Sequence, residues 1–144
     1  MIKPTVKITE QGASFLRCGQ SWMFRNNLSS DISHLENGCI CDIETEEGEY
    51  LGTGFLSKDS HVTVRILTHD RSEEIDSSFF EKRIREAWEF RKTVESENLS
   101  NCRVIFGEAD FLSGLTVDRY NGVLVTQITC YGMEIRKDLV YAAL

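Results

Sequence analysis

Over roughly the first seventy residues, apolar and polar positions exchange every one or two residues and the runs are short. A period of two puts alternate side chains on one face and predicts strands. PTVKITE (4–10) alternates, and GCICDIET (38–45), EYLGTGFL (49–56) and HVTVRILT (61–68) read as three consecutive strands. Glu46-Glu47-Gly48 and Ser57-Lys58-Asp59-Ser60 supply the turns between them. GASFLRCG (12–19) suits one or two helical turns beginning after Gly12. Gly52 and Gly54 share one face of a strand, which predicts a bend or a close backbone approach in a small barrel.

From Asp76 the period becomes helical. Asp76 suits an N-cap, and Phe80, Ile84, Ala87, Trp88, Arg91 and Val94 follow at three- and four-residue steps. That stripe needs a sheet to cover, and CRVIFGE (102–108), LTVDRY (115–120) and VLVTQITC (123–130) provide one. Asn121-Gly122 between the last two predicts a type I′ hairpin turn, with Asp118 supporting it. MEIRKDLVYAAL (133–144) begins an amphipathic helix with Ile135, Leu139, Ala142 and Ala143 on one face. No Gly cap, breaker or basic last turn follows, so this end reads as a helix cut short and the chain as a piece of a longer protein.

The chain of 144 residues fits one ordinary domain or two small ones, with 41% hydrophobic and 27% charged residues. No apolar run approaches the ~20 residues needed to cross a membrane, and MIKPTVKITEQ lacks a secretory core. Five scattered cysteines predict reduced thiols and a cytoplasmic location. A net charge of −7 argues against nonspecific coating of nucleic acid. Its distribution is uneven: Lys3, Lys7, Arg17 and Arg25 face Glu10 alone, whereas 31–49 holds seven acids and no base. Either one basic and one acidic face or ordinary solvated charge follows.

Candidate chemistry is sparse. Cys39 and Cys41 share a strand face without a second pair, and His34, His61 and His69 are scattered, so no zinc site is expected. Glu108, Asp110 and Asp118 admit a metal-dependent nuclease only if they converge; organising the loop and the hairpin is the plainer role. Trp22 and Phe24, at alternate positions, are expected in the core rather than against a base.

GEADFLSGLTVDRYNGVLVTQ (107–127) followed by YGME resembles the middle region of the S-adenosylmethionine-dependent methyltransferases that make 5-methylcytosine in large-subunit ribosomal RNA. FLRCGQSWMFRNNL (15–28) and YLGTGFLSKDSHVTVRILT (50–68) resemble the PUA domain that opens those proteins, and IDSSFFEKRIREAWEFRK (75–92) the helix joining the parts. Two departures stand out: Gln20-Ser21 replaces a usual His-Pro, and Ser113 replaces a usual proline.

The resemblance implies a mixed α+β chain. A PUA-type β pseudobarrel over 1–72 precedes a linker helix and a truncated antiparallel, RNase H-like α+β domain over 73–144. The C-terminal Rossmann domain, with its methyl-donor loop and cysteine nucleophile, would lie beyond; no G-x-G-x-x-G occurs here. S-adenosylmethionine would therefore bind only the full-length protein, and this chain has no catalytic, donor-binding or metal residue. Its partner would be ribosomal RNA, held by Arg17, Arg25, Lys58 and Arg65 around the first helix and a late strand. The whole protein would be a 23S rRNA cytosine-5 methyltransferase; the alternative is a stand-alone PUA-type RNA-binding protein. An unpaired strand edge in the truncated domain would favour self-association.

Overall fold

In a computed structural model the structure describes residues 3–95 and 97–144, and the chain divides into two compact units between Glu73 and Glu74. The first unit contains β1 (Thr5–Ile8), α1 (Glu10–Arg17), β2 (Trp22–Phe24), β3 (Ile40–Thr45), β4 (Tyr50–Leu56) and β5 (Val62–Thr68). Its strands form one sheet in the order β1-β3-β4-β5-β2, parallel between β1 and β3 and antiparallel elsewhere. An antiparallel bridge from Ile8 to Leu28 helps curl this sheet around its core. That core includes Val6, Ile8, Leu16, Met23, Ile43 and Val64, each contributing up to about 1.5–3 kcal/mol of burial.

Two local features differ from the sequence expectation. α1 starts before Gly12, because Thr9 caps it: the Gly12 amide donates to Thr9 Oγ1 at 3.2 Å. Gly12 then sits inside the first turn, where an added Cβ would lie 3.0 Å from Asn27 Cβ, so its absence lets helix and loop pack closely. β2 is a three-residue strand pairing only with β5, too short for a periodic signal. Gly54 meets the expected close approach at a register shift between β4 and β5, where an added Cβ would fall 1.9 Å from the Arg65 carbonyl oxygen.

The second unit contains α2 (Ser77–Val94), β6 (Asn101–Phe106), β7 (Leu115–Tyr120), β8 (Val123–Ile128), α3 (Tyr131–Glu134) and α4 (Lys137–Ala143). Asp76 caps α2 by accepting from the Phe79 amide at 3.1 Å. The stripe is buried at Phe80, Ile84, Ala87 and Arg91, while Val94 at the frayed end is exposed. β6, β7 and β8 form an antiparallel sheet in that order.

The hairpin has the expected two-residue loop but not the expected turn. Asn121 has φ 54°, whereas Gly122 is not among the residues at positive φ, and type I′ needs both. The last segment differs too: the helix breaks at Arg136 (φ −115°), and Val140, not Ile135 or Leu139, is its buried residue. The break rotates the second half out of phase with a continuous helix.

Arg91 is the unusual member of the stripe. Its Nε donates to the Arg103 carbonyl at 2.7 Å and its terminal nitrogen to Asp110 Oδ2 at 2.5 Å. Asp110 also accepts from the Phe106 amide at 2.7 Å, so this buried pair ties α2 to β6 and the turn after it. The neighbouring acids have other partners: Ser113 donates to Glu108 at 2.7 Å, and Arg103 grips Asp118 across the strands at 2.8 and 3.1 Å. Hydrogen bonding from Arg103 holds the Asp118 carboxyl below the usual carboxylate range.

Candidate nucleic-acid interface

The four cations expected at an RNA surface fall into different environments. Arg17 closes α1, where the helix dipole favours a cation. Its guanidinium is held by Glu49 and by Glu10, the latter at 2.7 Å. The hydrogen bonds it donates to Glu49 and Glu10 raise its pKa further above the ordinary arginine value. A phosphate would have to displace two carboxylates to use it. Lys58, in the turn between β4 and β5, reaches across to the segment before β3, donating to the carbonyls of Ser33 at 2.7 Å and Leu35 at 2.8 Å. Those bonds fold the 33–58 region rather than present a charge.

Arg65 is half-buried in β5, opposite Trp22 and Phe55. Arg25 differs from all three. It opens the 3₁₀ turn Arg25–Asn27 directly after β2, is exposed, and forms no ion pair among the described residues. Its positive charge nevertheless contributes to lowering the Asp31 pKa, behind the hydrogen bonds that Asp31 accepts from Ser33.

Beside Arg25 lies an aromatic pair. Trp22 and Phe24 meet edge to face with ring centroids 5.1 Å apart. Core packing was the expectation for both. Instead Met23 is fully buried, Trp22 is half-buried and Phe24 is 43% exposed. β2 is an edge strand, so alternation sends Met23 inward and leaves its neighbours on the open side. Phe24 exposes a ring that can stack on a base, and the next residue, Arg25, carries a guanidinium without an ion pair among the described residues that can bind a phosphate. Sequence reasoning named Arg25 as a candidate but assigned Phe24 to the core, because a three-residue strand shows no face.

The uneven charge along the chain is redistributed in space. Arg17 meets Glu49, Lys7 donates to the Glu46 carbonyl at 2.9 Å, and Arg71 is gripped by Glu44 and by Asp42 at 3.4 Å. The acidic segment therefore neutralises cations from both ends of the unit. Asp42 also accepts from Thr53 at 2.6 Å, and Tyr50 bonds to that hydroxyl at 2.9 Å beneath the Arg71 guanidinium. Burial pushes the Tyr50 pKa up. All five thiols are free, and burial raises that of Cys41. Among the described residues no three His, Cys, Asp or Glu side chains gather as a metal site would need. No described helix is long and apolar enough to cross a membrane.

Comparison with known proteins gives this geometry a context. Residues 6–69 match the PUA-like domain family. The chain is 34% identical over 124 residues, 85% of its length, to ribosomal RNA large subunit methyltransferase I of Klebsiella pneumoniae, of which it covers 31%. It is 34% identical over 130 residues to the protein of the same name from Aliivibrio fischeri, covering 90% of this chain and 33% of that one. The chain thus spans about a third of the length of these curated relatives. Among solved structures, a Streptococcus mutans protein described as a SAM-dependent methyltransferase superposes with TM-score 0.84 at 16% identity, over 97% of this chain and 36% of that one. Another, described as a methyltransferase complexed with SAH, superposes with TM-score 0.83 at 18% identity, over 99% and 36%. At such identities these two speak for the fold.

Proposed function

We propose, from the premise that this chain is homologous to the large-subunit ribosomal RNA methyltransferases and that its residues 6–69 belong to the PUA-like family, that it holds ribosomal RNA for a methyl transfer performed by the whole protein. The observation that carries this reading is the exposed Phe24 followed by Arg25, which forms no ion pair among the described residues. Arg25 takes a phosphate and Phe24 stacks on an unpaired base, while Arg17 is a reserve cation behind its two acids.

The reaction of the whole protein is transfer of a methyl group from S-adenosylmethionine to carbon 5 of a cytosine, flipped out for the chemistry. The residues of this chain do not fit the donor. β1 passes to α1 through Thr9 alone, with no Gly-rich loop to admit a donor at the helix start. The donor and the nucleophile belong to a separate catalytic domain. The second unit, read as the RNase H-like middle domain, links the RNA-holding unit to it.

Binding of fluorescent ribosomal RNA fragments, followed by anisotropy, tests the reading. Arg25→Ala and Phe24→Ala are each expected to weaken binding by about five- to tenfold, roughly 1–1.4 kcal/mol, the lower end of what a stacked base contributes and the scale of one hydrogen-bonded contact. Arg17→Ala should change it less, and affinity should fall as salt rises from ~50 to ~200 mM. Salt-independent binding, or equal affinity in Arg25→Ala, would refute the assignment.

The second unit also favours self-association. β8 is an edge strand with no charged residue from Val123 to Ile128, and Val123 and Val125 are 61% and 51% exposed. Such an edge is a template for a second copy. Size-exclusion chromatography should show a dimer fraction that grows with concentration and disappears in Val125→Lys. A single monomer peak up to millimolar concentration speaks against it.

A further inference from the structure

The arginines of this chain are mostly taken. Arg17, Arg71, Arg83, Arg91 and Arg103 each meet a carboxylate. Arg85 and Arg119 do not: among the described residues neither forms an ion pair, and the Arg85 guanidinium has no hydrogen bond. Both line the same cavity of about 540 Å³ in the second unit, between α2, the β7–β8 hairpin and the end of α4. That volume lies within the range of small-molecule sites.

The cavity is asymmetric in chemistry. Ile84, Val104 and Leu124 give it apolar walls, and Glu81 is the one acidic side chain in its lining. Arg119 is set in place: its Nε donates to the Asn121 carbonyl at 2.8 Å and its guanidinium lies 5.3 Å from the centre of the Trp88 ring. Four N–H groups of that fork remain unspent, and all five of Arg85. Two guanidiniums without an ion pair among the described residues, against the single acidic side chain Glu81, favour an anion, and the Arg119–Trp88 contact favours a planar group beside it.

We propose that this cavity receives a nucleotide, its phosphate on Arg85 and Arg119 and its base against the Arg119–Trp88 pair. The nucleotide is either one residue of an RNA strand, in which case the site extends the RNA-holding role proposed above, or a free mononucleotide.

A Trp22→Phe chain leaves Trp88 as the sole indole reporter. Titration with a hexaribonucleotide, with CMP and with inorganic phosphate is expected to give saturable quenching by one of the first two. Arg85→Gln should weaken that binding at least about tenfold, the scale of losing a hydrogen-bonded charge contact, with an unchanged melting temperature because Arg85 is exposed. Arg85→Lys should restore part of it. Tighter binding of the hexamer assigns the site to a strand, and equal or tighter binding of CMP assigns it to a free nucleotide. A silent Trp88 with both ligands, or quenching that survives Arg85→Gln, overturns the proposal. RNA binding that is lost in Arg25→Ala but untouched in Arg85→Gln would leave the role of the first unit standing and exclude an RNA strand from this cavity; loss of CMP quenching in Arg85→Gln would then still support the free nucleotide, and its persistence would overturn the proposal.

Discussion

Gly54→Ala is expected to unfold the first unit or cost it at least ~3 kcal/mol, the upper end of overpacking effects. The new Cβ would lie 1.9 Å from the Arg65 carbonyl oxygen, 2.7 Å from its carbon and 2.9 Å from Ile66 Cα. All three are backbone atoms, so no rotamer change relieves the overlap and β4 must part from β5. Leu56 on β4, and Val64 and Ile66 on β5, are core residues, so that separation opens the centre of the unit. Urea denaturation followed by Trp22 emission in a Trp88→Phe background measures it. Gly122→Ala in the second unit, read by Trp88 in a Trp22→Phe background, is the comparison, with nothing within 4 Å of the added Cβ and an expected change under ~0.5 kcal/mol. A Gly54→Ala chain with a midpoint close to the parent's would mean that β4 and β5 lie farther apart than described.

Arg91→Met is expected to destabilise the second unit by about 3–5 kcal/mol, the usual penalty for removing one partner of a buried ion pair. It strands Asp110 and leaves the Arg103 carbonyl without its donor. Asp110→Asn should cost less, because an amide oxygen still accepts from the Phe106 amide. The double variant should cost less than the two single effects combined, since the charge left alone by each is gone. Trp88 emission in a Trp22→Phe background isolates this unit. A single Arg91→Met variant within ~1 kcal/mol of the parent would show that Arg91 is exchangeable with any apolar side chain there.

The fold was legible where a periodic run was long enough to show a face. β3, β4 and β5 and the 18-residue α2 all lie where the pattern put them, and the Asp76 cap forms as expected. Legibility failed in short elements. β2 has three residues, and only the sheet decides that Met23 faces in and Phe24 out. The final helix was misread because Arg136 interrupts it, a break that spacing alone does not reveal. Among the site residues, Arg25 and Lys58 look equivalent as letters. What separates them is a pair of backbone carbonyls that captures Lys58 and leaves Arg25 without an ion pair. The cavity was invisible for the same reason: Arg85 and Arg119 are 34 positions apart in the sequence and meet only when α2 covers the hairpin.

The pairing of β2 has a temporal consequence. Trp22–Phe24 finds its strand partner in β5, roughly forty residues later, and β1 likewise waits for β3. Contacts so distant along the chain form slowly, after loop closure has been overcome. On a translating ribosome the edge bearing Phe24 and Arg25 therefore takes shape only once β5 has left the exit tunnel. A nascent chain presents that edge only when its first unit has been made in full.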